Sequence, residues 1–217
     1  MLKLLNKEIK LSASKLSFLF IAFAALTMAP GYPILLGAFF ISFGLFQSFQ
    51  HAREANDIVY SALLPISKAD VVKSKYVFCV FIELLGFLLM AALTLVRMTL
   101  LKDAAVYREN VLMNANLVFL GFALLIFGIF NSVFIGGFFK TAYYFGKPFI
   151  FFIVTAFIAV CAGEAIHHVP GLEAVNSFGF EVLPLQAAVL ISGAVIYAAL
   201  TILSMRASIK SFETIDL

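Results

Sequence analysis

The sequence has no tryptophan, only two cysteines and few charges. Of its 217 residues, 12% are charged and 63% are hydrophobic, and the mean hydropathy is +1.06. So little charge excludes an ordinary soluble domain and points to a polytopic membrane protein. Without tryptophan, any interfacial aromatic belt must be built from tyrosine and from the 26 phenylalanines. Cys79 and Cys161 both lie in apolar runs. They are expected near opposite membrane faces, too far apart for a disulfide, whose Cα atoms must lie within about 7 Å. Neither has metal-ligand spacing, so both are expected to be buried small hydrophobes. No basic run suggests nucleic acid.

Catalytic and nucleotide motifs are missing too. There is no GxxxxGKS or GxxxxGKT phosphate loop, so ATP binding by that route is not expected. HExxH, GxSxG and a glycine-rich dinucleotide turn are also absent. No residue is assigned to catalysis or to a metal. Glu164, His167 and His168 come nearest to a metal cluster, and Glu164 and His168 would share a helix face. They sit at a membrane boundary beside Pro170 and Gly171, where interfacial polar residues explain them better.

What is present is a succession of apolar runs, which predicts an all-α membrane domain over residues 1–217. Six spans are expected at about 16–29, 34–49, 76–101, 115–139, 148–163 and 185–205. The first two are short for a bilayer, and the first can borrow Leu11 to Lys15 with Lys15 snorkelling. Pro30-Gly31-Tyr32-Pro33 makes a strong turn between them. A cleavable signal peptide is the rival for the first run, disfavoured because a proline turn and a second apolar run follow directly. Ahead of it, residues 2–14 place Leu2, Leu5 and Ile9 near one helical face, with Lys3, Lys7 and Lys10 away from it. This reads as an amphipathic helix on the leaflet surface, or as a polar leader that sets topology. Twelve of the 15 Lys and Arg residues fall on the side that holds the termini; Arg97, Lys102 and Arg108 fall on the other. That split predicts cytoplasmic termini.

Polar residues inside spans are expensive and are candidates for function. Glu83 lies about 10 Å and Asn131 about 12 Å from the cytoplasmic face at 1.5 Å per residue, so the two can meet. Gln47 on the second span lies nearer the surface. Together they form either a polar layer at the inner mouth of a transport path or interhelical hydrogen-bonding glue. A lone carboxylate in hydrocarbon must be hydrogen-bonded, wet or protonated.

The longest polar interval is Gln50–Lys75. Ala52 to Leu64 can continue a helix into water. Pro65 biases Leu64 away from helix, and Ser67 with Asp70 resembles a capping box for a second, short helix. Lys73 and Lys75 would end the segment at the membrane face. It is either a solvated loop or a docking segment. Leu64, Pro65, Ser67, Lys68, Val71, Lys75 and Tyr76 resemble the stretch after the second span of type-2 ABC exporter permeases, most of all the small bacterial permeases of the phenol-soluble-modulin exporter group.

That resemblance implies a coupling helix between spans two and three, with Leu64, Pro65, Ile66, Ser67, Lys68 and Asp70 engaging an ATP-binding subunit. It further implies two such subunits carrying ATP and Mg, none bound by this chain, and a second permease copy or close paralogue. It places the protein in a bacterial cytoplasmic membrane and implies export of amphipathic peptides or other membrane-active compounds. The rivals are a membrane-embedded protease or lipid transferase, and a non-transport immunity or sensor protein.

The charge split has a direct test. With Cys79 and Cys161 replaced, Gly31→Cys and Gly171→Cys are expected to react with impermeant reagents from outside the cell, and Ala69→Cys is not. The reverse labelling pattern would overturn the orientation.

Overall fold

The computed structural model describes residues 7–9, 13–55, 57, 66–108, 111–141 and 144–215, and among these only helices and turns occur. Ser14 caps α1 (Lys15–Leu19) by accepting from the Leu16 amide. The chain then tightens into a 3-10 helix over Phe20–Met28. After a turn in which Gly31 has a φ of 66° come α2 (Leu36–Glu54) and α3 (Lys68–Thr99). A short α4 (Ala105–Arg108) follows. The next rod is α5 (Leu117–Ile129), a π-helical stretch over Phe130–Ile135, and α6 (Gly136–Thr141). The last long helices are α7 (Gly146–Ala165) and α8 (Leu183–Glu213).

Among the described residues, four helical stretches are long and apolar enough to cross a membrane: Lys68–Thr99, Leu117–Thr141, Gly146–His168 and Leu183–Glu213. They correspond to the last four expected spans. The first two expected spans are not among them. The first is a 14-residue segment, Lys15–Met28. The second, α2, has 19 residues, and its last two turns carry Gln47, Ser48, Gln50, His51, Arg53 and Glu54.

The shortness of the first segment is partly offset by its winding. Five α and nine 3-10 residues reach about 25 Å, against about 21 Å for α-helix throughout. Both ends are fastened. The Ser17 hydroxyl donates to the Gly44 carbonyl of α2 at 2.7 Å, and the Ser14 amide donates to Ser48. At the far end Arg97 Nη1 donates to the Thr27 carbonyl at 2.9 Å, and the Tyr107 hydroxyl to that of Met28 at 3.0 Å. The Arg97 guanidinium also stands 4.0 Å over the Tyr107 ring. This explains a buried arginine at the end of a span: it satisfies one carbonyl that a helix terminus leaves open and stacks on the tyrosine that satisfies the next.

Phenylalanine fills the centre. Phe46 of α2 stacks on Phe149 of α7 at 3.6 Å, and Phe49 and Phe134 meet edge to face. Elsewhere small residues let backbones touch. Helix α8 runs parallel to the α5–π–α6 rod, and a Cβ on Gly193 would stand 2.5 Å from the Gly121 carbonyl oxygen. Farther along, Gly128 faces Tyr197 and Leu200, and Gly136 faces Ser204.

The segment joining α2 to α3 differs from expectation. Ser67 does cap a helix, accepting from the Asp70 amide and donating to its carboxylate. That helix is α3 itself, unbroken from Lys68 to Thr99, because no helix breaker follows Ser67. No separate short helix therefore lies between Ser67 and Tyr76; the break expected at Pro65 falls outside the described residues, as does most of 2–14. Lys75, expected at the membrane face, is only 5% exposed. Its ammonium lies 2.6 Å from Glu8 and 2.8 Å from Asp57, and Lys7 lies 2.8 Å from Asp57 and 3.4 Å from Glu8. The Ser74 hydroxyl also donates to Glu8. Charges from three separate parts of the chain thus neutralise one another where each alone would be too costly to bury. Cys79 is buried as expected, whereas Cys161 is exposed on α7, since its helix presents that face away from the bundle.

Burial alone would raise the Asp57 carboxyl, but Lys75 and Lys7 more than offset it and bring it from 3.8 down to about 2. A lowered folded-state value stabilises fully above the unfolded value of about 4 and is lost as pH falls through the folded one. Purified protein is therefore expected to lose unfolding temperature between pH 4 and pH 2. Asp57→Asn should cost about 3 kcal/mol at neutral pH and flatten that acid dependence. An unchanged acid dependence in Asp57→Asn would remove the assignment.

Candidate functional site

Three helices converge on one polar seam inside the bundle. Glu83, seven residues after Tyr76 on α3, is fully buried. Its Oε2 accepts from Asn131 Nδ2 at 3.0 Å and from the Tyr197 hydroxyl at 2.7 Å. Asn131 Nδ2 also donates to Thr201 Oγ1 at 3.0 Å. The expected meeting of Glu83 and Asn131 is thus observed. Gln47, half-buried on α2, lies outside this network.

The seam continues toward the start of α3. The Tyr76 hydroxyl lies 2.7 Å from Ser204 Oγ and 2.9 Å from Ser208 Oγ. Both Tyr76 and Ser204 donate to the Asn131 backbone carbonyl, at 3.3 and 3.0 Å. Asn131 stands in the π-helical stretch, whose wider turn sends its carbonyl bond to the amide of Gly136, five residues on. Isolated π turns inside α-helices recur at functional sites.

Sequence reasoning found Glu83 and Asn131 but missed Tyr197, Thr201, Ser204 and Ser208. Their signal was present: spacings of four, three and four place four hydroxyls on one face of α8. Tyr76 entered only through the motif, yet it bridges α3 to α8.

The arrangement can hold three helices in a defined register and can rearrange through exchange of hydrogen bonds. Glu83 Oε1 and Asn131 Oδ1 are buried without a protein partner. Among the described residues no three of His, Cys, Asp and Glu gather as a metal site. Glu164 Oε2 instead accepts from the Met113 amide at 2.8 Å, and His167 Nε2 lies 3.0 Å from the Val111 carbonyl. These residues tie the 111–116 loop to the end of α7.

The expected docking residues are placed as follows. Leu64 and Pro65 lie outside the described residues. Ile66 is half-buried and packs on the core. Ser67 and Asp70 form the cap of α3. Lys68 reaches the carbonyls of Glu213 and Ile215 at the end of α8. Ile66 and Lys68 thus each make contacts within the chain.

A family model described as ABC-2 family transporter protein matches residues 3–213. No curated protein and no solved structure matches the chain.

The Glu83–Asn131 contact is testable by a double-mutant cycle. Asn131→Leu leaves a buried carboxyl short of a donor and is expected to cost about 1–3 kcal/mol. Replacing both partners, Glu83→Leu with Asn131→Leu, is expected to cost less than the sum of the single changes. Strict additivity in thermal unfolding would show that the two side chains do not depend on each other.

Proposed function

Because the chain belongs to the ABC-2 family of transporter proteins, we propose that it is the permease subunit of an ATP-driven exporter with six spans. Lys15–Met28 and α2 form the first two spans. Both termini face the cytoplasm of a bacterium. Two ATP-binding subunits and a second permease copy or paralogue complete the assembly, and ATP and Mg are held by the ATP-binding subunits. The substrate class is amphipathic peptides or other membrane-active compounds.

The observation that carries the coupling part of this reading is the placement of Ile66 to Asp70. These residues start α3 and, through Lys68, hold the end of α8. Force applied there by an ATP-binding subunit reaches two helices at once. Those are the helices that grip Asn131, α3 through Tyr76 and Glu83 and α8 through Thr201 and Ser204. A relative shift of α3 and α8 must exchange hydrogen bonds at the π-helical stretch. The polar seam is then the place where a cytoplasmic push becomes a change in the span bundle, since packed interfaces switch between discrete arrangements.

Co-purification with an ATP-binding subunit, followed by its rate of ATP turnover, tests this. Ile66→Asp with Lys68→Glu is expected to abolish binding or stimulation while the permease still inserts. Lys68→Met alone, which only frees the end of α8, should keep binding and weaken stimulation several-fold. Normal binding and turnover in the double variant would reduce the segment to a connecting loop.

A further inference from the structure

A groove of about 440 Å³ opens between the lower half of α8 and the π–α6 part of the rod. Its size falls within the roughly 300–1,000 Å³ range of small-molecule sites. Gly136, Gly137 and Ala207 keep it open; a Cβ on Gly136 would stand 2.7 Å from Ser204 Oγ. Leu200 and Leu203 form an apolar wall, and Leu203 is 62% exposed. Ser132, Ser204 and Ser208 also line it, their hydroxyls bonded to the Ile129 carbonyl, the Asn131 carbonyl and Tyr76, and Lys140 stands at one end.

Lys140 is exposed in the last turn of α6 and makes no ion pair among the described residues. Lys210, exposed one turn beyond Ala207 on α8, makes none either. The acid nearest to it along α8, Glu213, lies a further turn on. One unpaired cation, Lys140, thus stands at the end of a groove whose exposed lining is mainly apolar, and a second, Lys210, follows Ala207 by one turn on α8. A ligand that fits has an anionic head and a hydrocarbon body.

We infer that this groove binds an anionic phospholipid of the cytoplasmic leaflet. The phosphate lies at Lys140, with Lys210 beyond Ala207 on α8, and an acyl chain runs along Leu200 and Leu203. Basic pockets between spans on the cytoplasmic side attract such headgroups. The leaflet assignment rests on the orientation proposed above. Ser204 also bonds the Asn131 carbonyl, so the bound lipid touches the same hydroxyl row that joins α8 to the π-helical stretch.

The probes are phosphatidylglycerol and phosphatidylcholine, added to the detergent-purified full chain, read by unfolding temperature and by native mass spectrometry. Phosphatidylglycerol is expected to raise the unfolding temperature by several degrees and to stay bound; phosphatidylcholine should do neither. Lys140→Glu with Lys210→Glu should weaken phosphatidylglycerol binding at least tenfold. Ala207→Trp, which fills the groove and keeps both lysines, should weaken it equally. Lys102→Glu, at the opposite end of the bundle, should leave it unchanged. Equal binding of the two lipids, wild-type affinity in Ala207→Trp, or equal loss in Lys102→Glu would each overturn the site. The assay needs neither an ATP-binding subunit nor a fixed orientation, so its failure leaves the permease reading standing, and failed coupling leaves the lipid site standing.

Discussion

The closeness of two backbones governs this structure. Helix α8 lies against the α5–π–α6 rod at Gly121, Gly128 and Gly136, where side chains would force the helices apart. Lipid is as apolar as leucine, so helices in a membrane associate through such close packing and through hydrogen bonds between them. The approach brings the hydroxyl face of α8 within reach of Asn131. The first two glycines are seven residues apart and the second pair eight. The odd residue is absorbed by the wider π turn between Gly128 and Gly136. Without it, the end of the rod would turn away from α8 by about 100°. The π-helical stretch thus keeps two halves of one packing seam in register and presents Asn131 to both neighbours.

Much of the frame was legible. Long apolar runs located the four long helices, and counting residues from the expected membrane face put Glu83 and Asn131 at one depth. The serine cap at Ser67 was readable because its chemistry is local. What followed the cap was misjudged: no breaker stands between Ser67 and Tyr76, so the cap opens the long α3 itself, and the partner of Lys68, the end of a helix 145 residues away, has no local sign. Lys75 misled for a related reason. A lysine at a span boundary normally snorkels to water, but here two acids from elsewhere in the chain surround it.

The hydroxyls of α8 show a different limit. Their spacing was visible, yet serine, threonine and tyrosine in a span are common enough that the pattern drew no notice beside a lone carboxylate. Only Glu83 and Asn131 gave the row a meaning. The π-helical turn and the 3-10 winding have no local signature at all. They answer to the positions of neighbours, the first to the glycines facing α8 and the second to the distance between its two anchors.

That second case sets a mechanical condition on the first segment. Lys15–Met28, which contains the 3-10 stretch Phe20–Met28, is held at Ser17 by α2 and at Thr27 and Met28 by Arg97 and Tyr107. Rewinding the nine residues of that stretch as α-helix would shorten the segment by about 4.5 Å, since the two windings differ by about 0.5 Å per residue. Neither anchor can follow without moving the helix that carries it. The segment is therefore a taut tie between α2 and the far end of α3, and any sliding of those helices past each other must be taken up as a change in its pitch.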